Sequence, residues 1–315
     1  MIMEKIVCVL GPTASGKSGL GIELAKEFDG EIVSADSMQI YRGAHIASAA
    51  VSESEADGVP HHLLEFLESD STFTVYDYLK KARKVIADIQ KKGKLPIIVG
   101  GTGLYINALL DGIRLDSETG DKKVREELEK EYDEKGGEYL LERLKEFDKA
   151  AAEKLNPNDK KRIVRAHEIY RTSGISKTEQ DKRSLSYGKD YDYTAIGITY
   201  FDRQKLYDRI NMRVDIMLEN GLLDEAKAAY KRRTDSTAGL NQAIGHKEFF
   251  PYFDGEISLD AAIENLKRST RRYAKRQLTW FNKREDINWI YADREDTLSS
   301  ARKILERQGY TFEKQ

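Results

Sequence analysis

The residues best equipped for chemistry open the chain. Gly11-Pro12-Thr13-Ala14-Ser15-Gly16-Lys17-Ser18 follows the apolar run Ile6-Val7-Cys8-Val9-Leu10 and fits G-x-x-x-x-G-K-S. In this spacing Gly11 and Gly16 let the backbone wrap closely, so that successive amides and the start of the next helix point at one anion. Lys17 adds a point charge and Ser18 a hydroxyl able to ligate Mg2+. With a buried strand before it and the helical Leu20, Ile22, Leu24, Ala25 and Phe28 after it, the loop reads as a diphosphate or polyphosphate site. Which phosphate compound it holds, ATP included, the loop leaves open.

Three further groups belong near it. Asp36 closes the short apolar strand Gly30-Glu31-Ile32-Val33-Ser34-Ala35 and leads into Ser37-Met38-Gln39, beyond the carboxyl end of a strand where ligands of open α/β sheets sit. It suits either indirect support of Mg2+ or general-base work, and its bland role is to cap the next turn. Leu95-Pro96-Ile97-Ile98-Val99 runs into Gly100-Gly101-Thr102-Gly103, with no Walker-B acid, so a second backbone segment approaches the ligand and Thr102 supplies its hydroxyl. Arg209 and Arg213 lie four apart on one predicted helix, a spacing that suits gripping an anion.

The elements that must position these groups follow from periodicity. Val75, Tyr78, Leu79, Ala82, Val85, Ile86 and Ile89 mark an amphipathic helix over 74–90, ended at Lys92-Gly93. Residues 43–72 read as a loop with a docked segment, and His61-His62 as structural, since neighbours on a helix or strand face different ways. From 116 to 189 the chain turns highly charged and is broken at Gly136-Gly137, Asn156-Pro157 and Ser173-Gly174, which marks an inserted helical subdomain between core segments 1–115 and 190–315. In the insertion Lys160-Lys161-Arg162-Ile163-Val164 carries cations at helical spacing, ordinarily a solvated face. Tyr193–Tyr200 returns to the sheet. A long helix over about 259–284 puts Ile263, Leu266, Tyr273 and Trp280 on one face and Arg268, Arg272, Lys275 and Arg276 on another. The basic face is a candidate for nucleic-acid backbone contact. The fold class is α/β, a P-loop NTPase-like core with a parallel sheet flanked by helices, plus the helical insertion.

Composition bounds the alternatives. The 315 residues are 40% apolar and 34% charged, so a sizeable core forms. No apolar run approaches the ~20 residues of a membrane span and the first strand begins at once, so a soluble, cytoplasmic protein is expected. One cysteine, Cys8, excludes an internal disulfide and a cysteine-based metal site.

These motifs together resemble the tRNA dimethylallyltransferase (tRNA isopentenyltransferase) family in its bacterial form. The resemblance is carried by residues 11–18, Asp36-Ser37-Met38-Gln39-Ile40-Tyr41-Arg42, Pro60-His61-His62-Leu63, Val99-Gly100-Gly101-Thr102-Gly103-Leu104-Tyr105, Ala243-Ile244-Gly245 and Arg272-Tyr273-Ala274-Lys275-Arg276-Gln277-Leu278-Thr279-Trp280-Phe281, in family order over nearly the whole chain. It implies that the loop holds the diphosphate of dimethylallyl diphosphate, and that the acceptor is the N6 amine of the adenosine 3′ of the anticodon in a tRNA stem-loop. Asp36 would then take the amine's proton, Thr102 would bond near the reacting centre, and Arg213 with Lys17, Ser18 and Mg2+ would stabilise the leaving diphosphate. Residues 36–39, 160–164, 242–245, Thr102, Arg272 and Arg276 would meet the tRNA, and the enzyme is expected to act as a monomer. Two stretches depart from the family pattern. Ala47-Ser48-Ala49-Ala50 stands where a threonine and a lysine are usual, and His246 stands where tyrosine is; both are expected to bear on acceptor binding. A free-adenylate isopentenyltransferase and a P-loop kinase are the competing classes.

Overall fold

The computed structural model describes residues 4–115, 120–233 and 239–311, with the backbone alone at 241–242. In chain order its elements are β1 (Lys5–Leu10), α1 (Lys17–Glu27), β2 (Gly30–Ala35), α2 (His45–Ser48), α3 (Glu53–Ala56), β3 (His61–His62), α4 (Val75–Lys91), β4 (Leu95–Gly100) and α5 (Gly103–Leu110). The helices α6 (Lys122–Lys135), α7 (Gly137–Ala152), α8 (Lys160–Ser173) and α9 (Lys177–Leu185) come next. The chain then forms β5 (Asp192–Thr199), α10 (Arg203–Glu219), α11 (Leu222–Lys231), α12 (Phe250–Phe253), α13 (Leu259–Phe281), β6 (Ile287–Tyr291) and α14 (Thr297–Arg307). It divides into two compact units, 1–110 with 190–315, and Asp111–Lys189.

The first unit is built on one six-stranded sheet, ordered β3-β2-β4-β1-β5-β6 and parallel throughout. Parallel strands buried on both faces read as continuous apolar runs, and Ile6 to Leu10 of β1 are all fully buried. Because every strand points the same way, the residues after β1, β2, β4 and β5 emerge at one edge. That geometry gathers the loop at 11–18, Asp36 and Thr102. The core beneath is Val7, Val9, Leu24, Ile97, Ile196 and Ile198 with their neighbours.

Local rules explain the covering helices. Thr74 and Asp77 form a capping box at the start of α4, Thr74 Oγ1 accepting the Asp77 N–H and the Asp77 carboxylate accepting that of Thr74. The stripe Tyr78, Leu79, Ala82, Ile86 and Ile89 is buried as the spacing predicts, and Gly93 at φ 76° ends the segment. The second unit is helical, packed around Leu140, Leu144, Ile163 and Ala166. It opens at Asp111 rather than at 116. A Cβ at Gly112 would collide with the carbonyl of Gly188, so the two stems already touch there.

Two expectations change, and one segment goes unread in the sequence. His61-His62 is a short edge strand paired with Ile32 and Val33, not loop, and His62 Nε2 meets the buried Glu31 carboxylate at 2.8 Å. The ending β6–α14 carries too few distinctive residues to be read ahead, yet it completes the sheet. On α13 the buried face is Ala262, Leu266, Ala274, Gln277 and Phe281, while Ile263, Tyr273 and Trp280 are half-buried. The reason lies in the glycines after β4. A Cβ at Gly101 would strike the Gln277 amide, one at Gly103 the Trp280 indole, and one at Gly100 the Ala35 carbonyl. These glycines admit α13 and β2 rather than a ligand. Gly101→Ala should therefore overpack this junction and cost about 1–3 kcal/mol of stability in urea unfolding, whereas Gly19→Ala, in α1 with open space around it, should not.

Candidate active site

The loop at 11–18 turns through Ala14 at φ 63° and Gly16 at φ 97° before α1 begins. Gly11 is required because a Cβ there would collide with the Ile198 carbonyl of β5. Ser15 is buried, and its Oγ has no partner among the described residues. The Lys17 ammonium reaches the Pro12 carbonyl at 3.4 Å, folding over the loop. Burial pushes this ammonium down to about 8, the charge of Arg213 acts in the same direction, and Asp36 opposes both. Arg213 is likewise lowered by its burial, against the carboxylates of Asp36 and Glu55. Two half-buried cations lining one site favour an anion there.

Two cavities meet at these cations. The larger, about 1030 Å³, is walled by Lys17, Ser18, Ile46, Ala50, Arg209 and Arg213 among others. The smaller, about 280 Å³, shares Lys17, Ser18, Arg213 and Met217 with it and adds Asp36, Gln39, Tyr273, Arg276 and Gln277. Arg209 Nε donates to the Ala14 carbonyl at 3.2 Å, so it steadies the loop as well as facing the larger cavity.

Asp36 is held firmly. Its Oδ1 accepts from the amides of Met38 (2.8 Å) and Gln39 (3.4 Å), while Oδ2 accepts none from the described residues. The capping role and the site role coincide in one carboxylate. Thr102 lines neither cavity. Its Oγ1 accepts the Ser37 N–H at 2.9 Å and faces the Tyr273 hydroxyl, so it stands behind Asp36 and orients the turn. Burial raises the Tyr273 phenol well above its ordinary value, leaving it a neutral donor. Met38, Ser37, Ala243 and Ile244 line the smaller cavity, and Gly245 packs against Ala47. The side chain of Gln242 lies outside the described residues.

The cations predicted for RNA separate into groups. Arg276 lines the smaller cavity with its guanidinium over the Tyr273 ring, whereas Arg272 is exposed one turn earlier and lines neither. Arg268 donates to the Asn265 side chain. On α8, Lys160 pairs with Asp133 at 2.6 Å, and Lys161 and Arg162 are exposed. Ile163 and Val164 are buried in the helical unit and offer no side chain to a ligand, because cations at helical spacing leave the intervening apolar positions for the core. Of the departures, Ala50 lies in the wall of the larger cavity, but His246 is fully buried and lines neither.

One residue escapes a sequence reading. Gln277 is buried on α13, its Oε1 accepting the Thr13 N–H and its Nε2 donating to the Gly101 carbonyl, both at 2.9 Å. It ties the phosphate loop to the β4–α5 turn. A lone glutamine in a charged helix carries no signal, and only the glycines opposite it hint at the contact.

A P-loop, paired cations and a carboxylate at the carboxyl edge of a parallel sheet define a P-loop NTPase-like core whose site suits a diphosphate or polyphosphate. The comparisons then specify it. The family model described as IPP transferase matches residues 39–284. A tRNA dimethylallyltransferase of Thermoanaerobacter pseudethanolicus is 47% identical over 294 residues, 92% of each chain. The solved full-length tRNA isopentenylpyrophosphate transferase of Bacillus halodurans is 40% identical at a TM-score of 0.71, covering 98% of this chain and 96% of that one. A eukaryotic dimethylallyltransferase solved acting on tRNA is 28% identical at a TM-score of 0.82, covering 99% and 81%. The chain belongs to the IPP transferase family and is a prenyltransferase.

The Lys17 charge sets a pH dependence. Its ammonium favours the anion only while protonated, and one unit above a value of about 8 roughly a tenth remains so. The dissociation constant for a prenyl diphosphate should hold steady below pH 7 on account of this group and rise about tenfold by pH 9. Calorimetric titrations should show that break in the wild type and lose it in Lys17→Met.

Proposed function

We propose that this prenyltransferase moves a dimethylallyl group from dimethylallyl diphosphate to the N6 amine of the adenosine 3′-adjacent to the anticodon of tRNA, releasing diphosphate. The observation that carries the reading is the wall of Lys17, Ser18 and Arg213 shared by two cavities, with Asp36 in the smaller. A diphosphate on that wall directs its allylic carbon toward Asp36. The N6–C1 bond forms as the C1–O bond breaks, the diphosphate leaves with the electron pair, and the amine's proton passes to Asp36. The loop amides, Lys17 and Arg213 stabilise the charge that gathers on the leaving oxygens.

The oxygen donors present suit Mg2+. No cluster of three acidic or histidine groups exists among the described residues, so the ion would rest on the Ser18 hydroxyl, waters and the donor's own phosphates, with Asp36 within the same cavity. When bound, it supplies further neutralisation of the leaving group. Loop residues 11–16 cradle the diphosphate, Arg276 meets the acceptor at the smaller cavity, and Ser37, Met38, Gln39 and residues 242–245 enclose the base. Thr102 acts through Ser37. Arg272, Lys160, Lys161 and Arg162 contact the RNA backbone. The enzyme acts as a monomer in the cytoplasm, and no described helix is long and apolar enough to cross a membrane.

The test is incubation of the protein with labelled dimethylallyl diphosphate and, separately, tRNA, AMP and ATP. Label on tRNA supports the reading, label on free AMP or ATP points to an adenylate prenyltransferase, and phosphoryl transfer without prenylation to a kinase. Asp36→Ala should keep donor binding and lower transfer by roughly 10²-fold, the scale of a lost general base, in single-turnover assays. Replacing Arg272 and Arg276 together by Ala should weaken tRNA binding and flatten its salt dependence by a slope of about one to two, with donor affinity unchanged. An unaltered slope in the folded double variant would remove this face from the RNA site.

A further inference from the structure

We propose that Glu225 and His246 are positioning residues for the transfer, a buried pair that fixes the backbone of residues 45–50 where it walls both cavities. The proposal rests on the transferase reading and concerns residues that touch neither substrate. The strip includes α2, a single turn too short to hold itself together. Ile46 and Ala49 face the larger cavity, and Ala47 and Ser48 the smaller, so its placement sets the width of both.

The strip is held from two ends. At its start, the Glu225 carboxylate on α11 accepts the Ile46 N–H on Oε2 at 2.8 Å and the Ala47 N–H on Oε1 at 2.9 Å. At its end, the Gln39 amide donates to the carbonyls of Ser48 (3.4 Å) and Ala49 (3.2 Å), and Gln39 Oε1 accepts from the Ser34 hydroxyl at 3.0 Å. Gln39 lies three residues from Asp36 and donates its own amide to that carboxylate, so the strip and the base share one frame.

His246 completes the device. Its ring is fully buried, Nε2 lies 2.9 Å from Glu225 Oε1, and Nδ1 has no partner among the described residues. Its contact with Glu225 requires the Nε2–H tautomer, and the carboxylate is the one acceptor that the ring serves. Burial works against ionisation of Glu225, but the His246 N–H and the two backbone amides outweigh it and hold the carboxyl below its ordinary range. The anion at the start of the strip is thus secured by His246. Gly245 beside it lies so close to the strip that a Cβ would come within 2.9 Å of Ala47 Cβ.

The experiment compares His246→Phe, His246→Gln and Glu225→Gln with the wild type. Calorimetry measures dimethylallyl diphosphate and inorganic diphosphate, filter retention measures tRNA, and steady-state assays separate kcat from KM. His246→Phe and Glu225→Gln should weaken dimethylallyl diphosphate about tenfold and lower kcat/KM for it at least as much. Inorganic diphosphate, which rests on the loop and Arg213, and tRNA should stay within twofold. His246→Gln, which keeps an N–H for Glu225, should recover most of the loss. Should His246→Phe not fold, Glu225→Gln carries the same comparison. Unchanged donor binding and kinetics in a folded Glu225→Gln protein overturn the proposal, as does a parallel loss of tRNA, diphosphate and donor binding. A wild type that binds the donor but modifies no tRNA would strike the transferase reading instead, leaving the binding comparison intact.

Discussion

The active site depends on one side-chain amide. Gln277 uses its two ends to bind the Thr13 amide in the phosphate loop and the Gly101 carbonyl after β4. A buried amide is tolerated only when its donor and acceptor capacity is met, and both demands here are met by backbone that shapes the site. The arrangement also demands room. Gly101 and Gly103 are small so that Gln277 and Trp280 can sit against the turn. Helix α13 is thereby pressed onto the carboxyl edge of the sheet, which brings Tyr273 and Arg276 into the smaller cavity opposite Asp36.

Much of the frame was legible because it rests on local rules. The phosphate loop is a backbone requirement spelled in glycines, and the buried parallel strands and the α4 stripe are periodicities. What sequence could not yield is long-range pairing. Thr102 reads as a ligand hydroxyl, and its bond to Ser37, 65 residues away, is a second partner that the sequence does not announce. The glycines near it look like a ligand cradle until helix α13 is found resting on them. Ile163 and Val164 sit among cations, yet the helical unit needs them inside. His246 departs from the family pattern at a place that reads as acceptor surface, and it is core. Each case has one form, a residue read toward a ligand that the fold also ties to another part of the chain.

The charges follow a similar division. Lys17 and Arg213 stand half-buried in the walls of the same cavities, with Asp36 and Glu55 offsetting part of their charge, a cost the fold bears for the sake of an anion. In the helical unit cations are mostly matched: Arg125 and Arg165 bind the buried Glu168, and Arg143 and Arg171 bind Glu131. Exposed Lys161 and Arg162 at the start of α8 stand outside those networks, where long-range attraction for a polyanion is set by screening rather than by desolvation.

Cys8 plays no part in any of this, and that gives it a use. It lies fully buried in β1, between β4 and β5, and burial pushes its thiol up to about 12. Since the thiolate is the reactive form, the folded protein shields its one thiol twice, by access and by ionisation. Alkylation of this thiol therefore clocks the parting of the central strands, and the unmodified chain carries its own gauge of how often the floor beneath the phosphate loop comes apart.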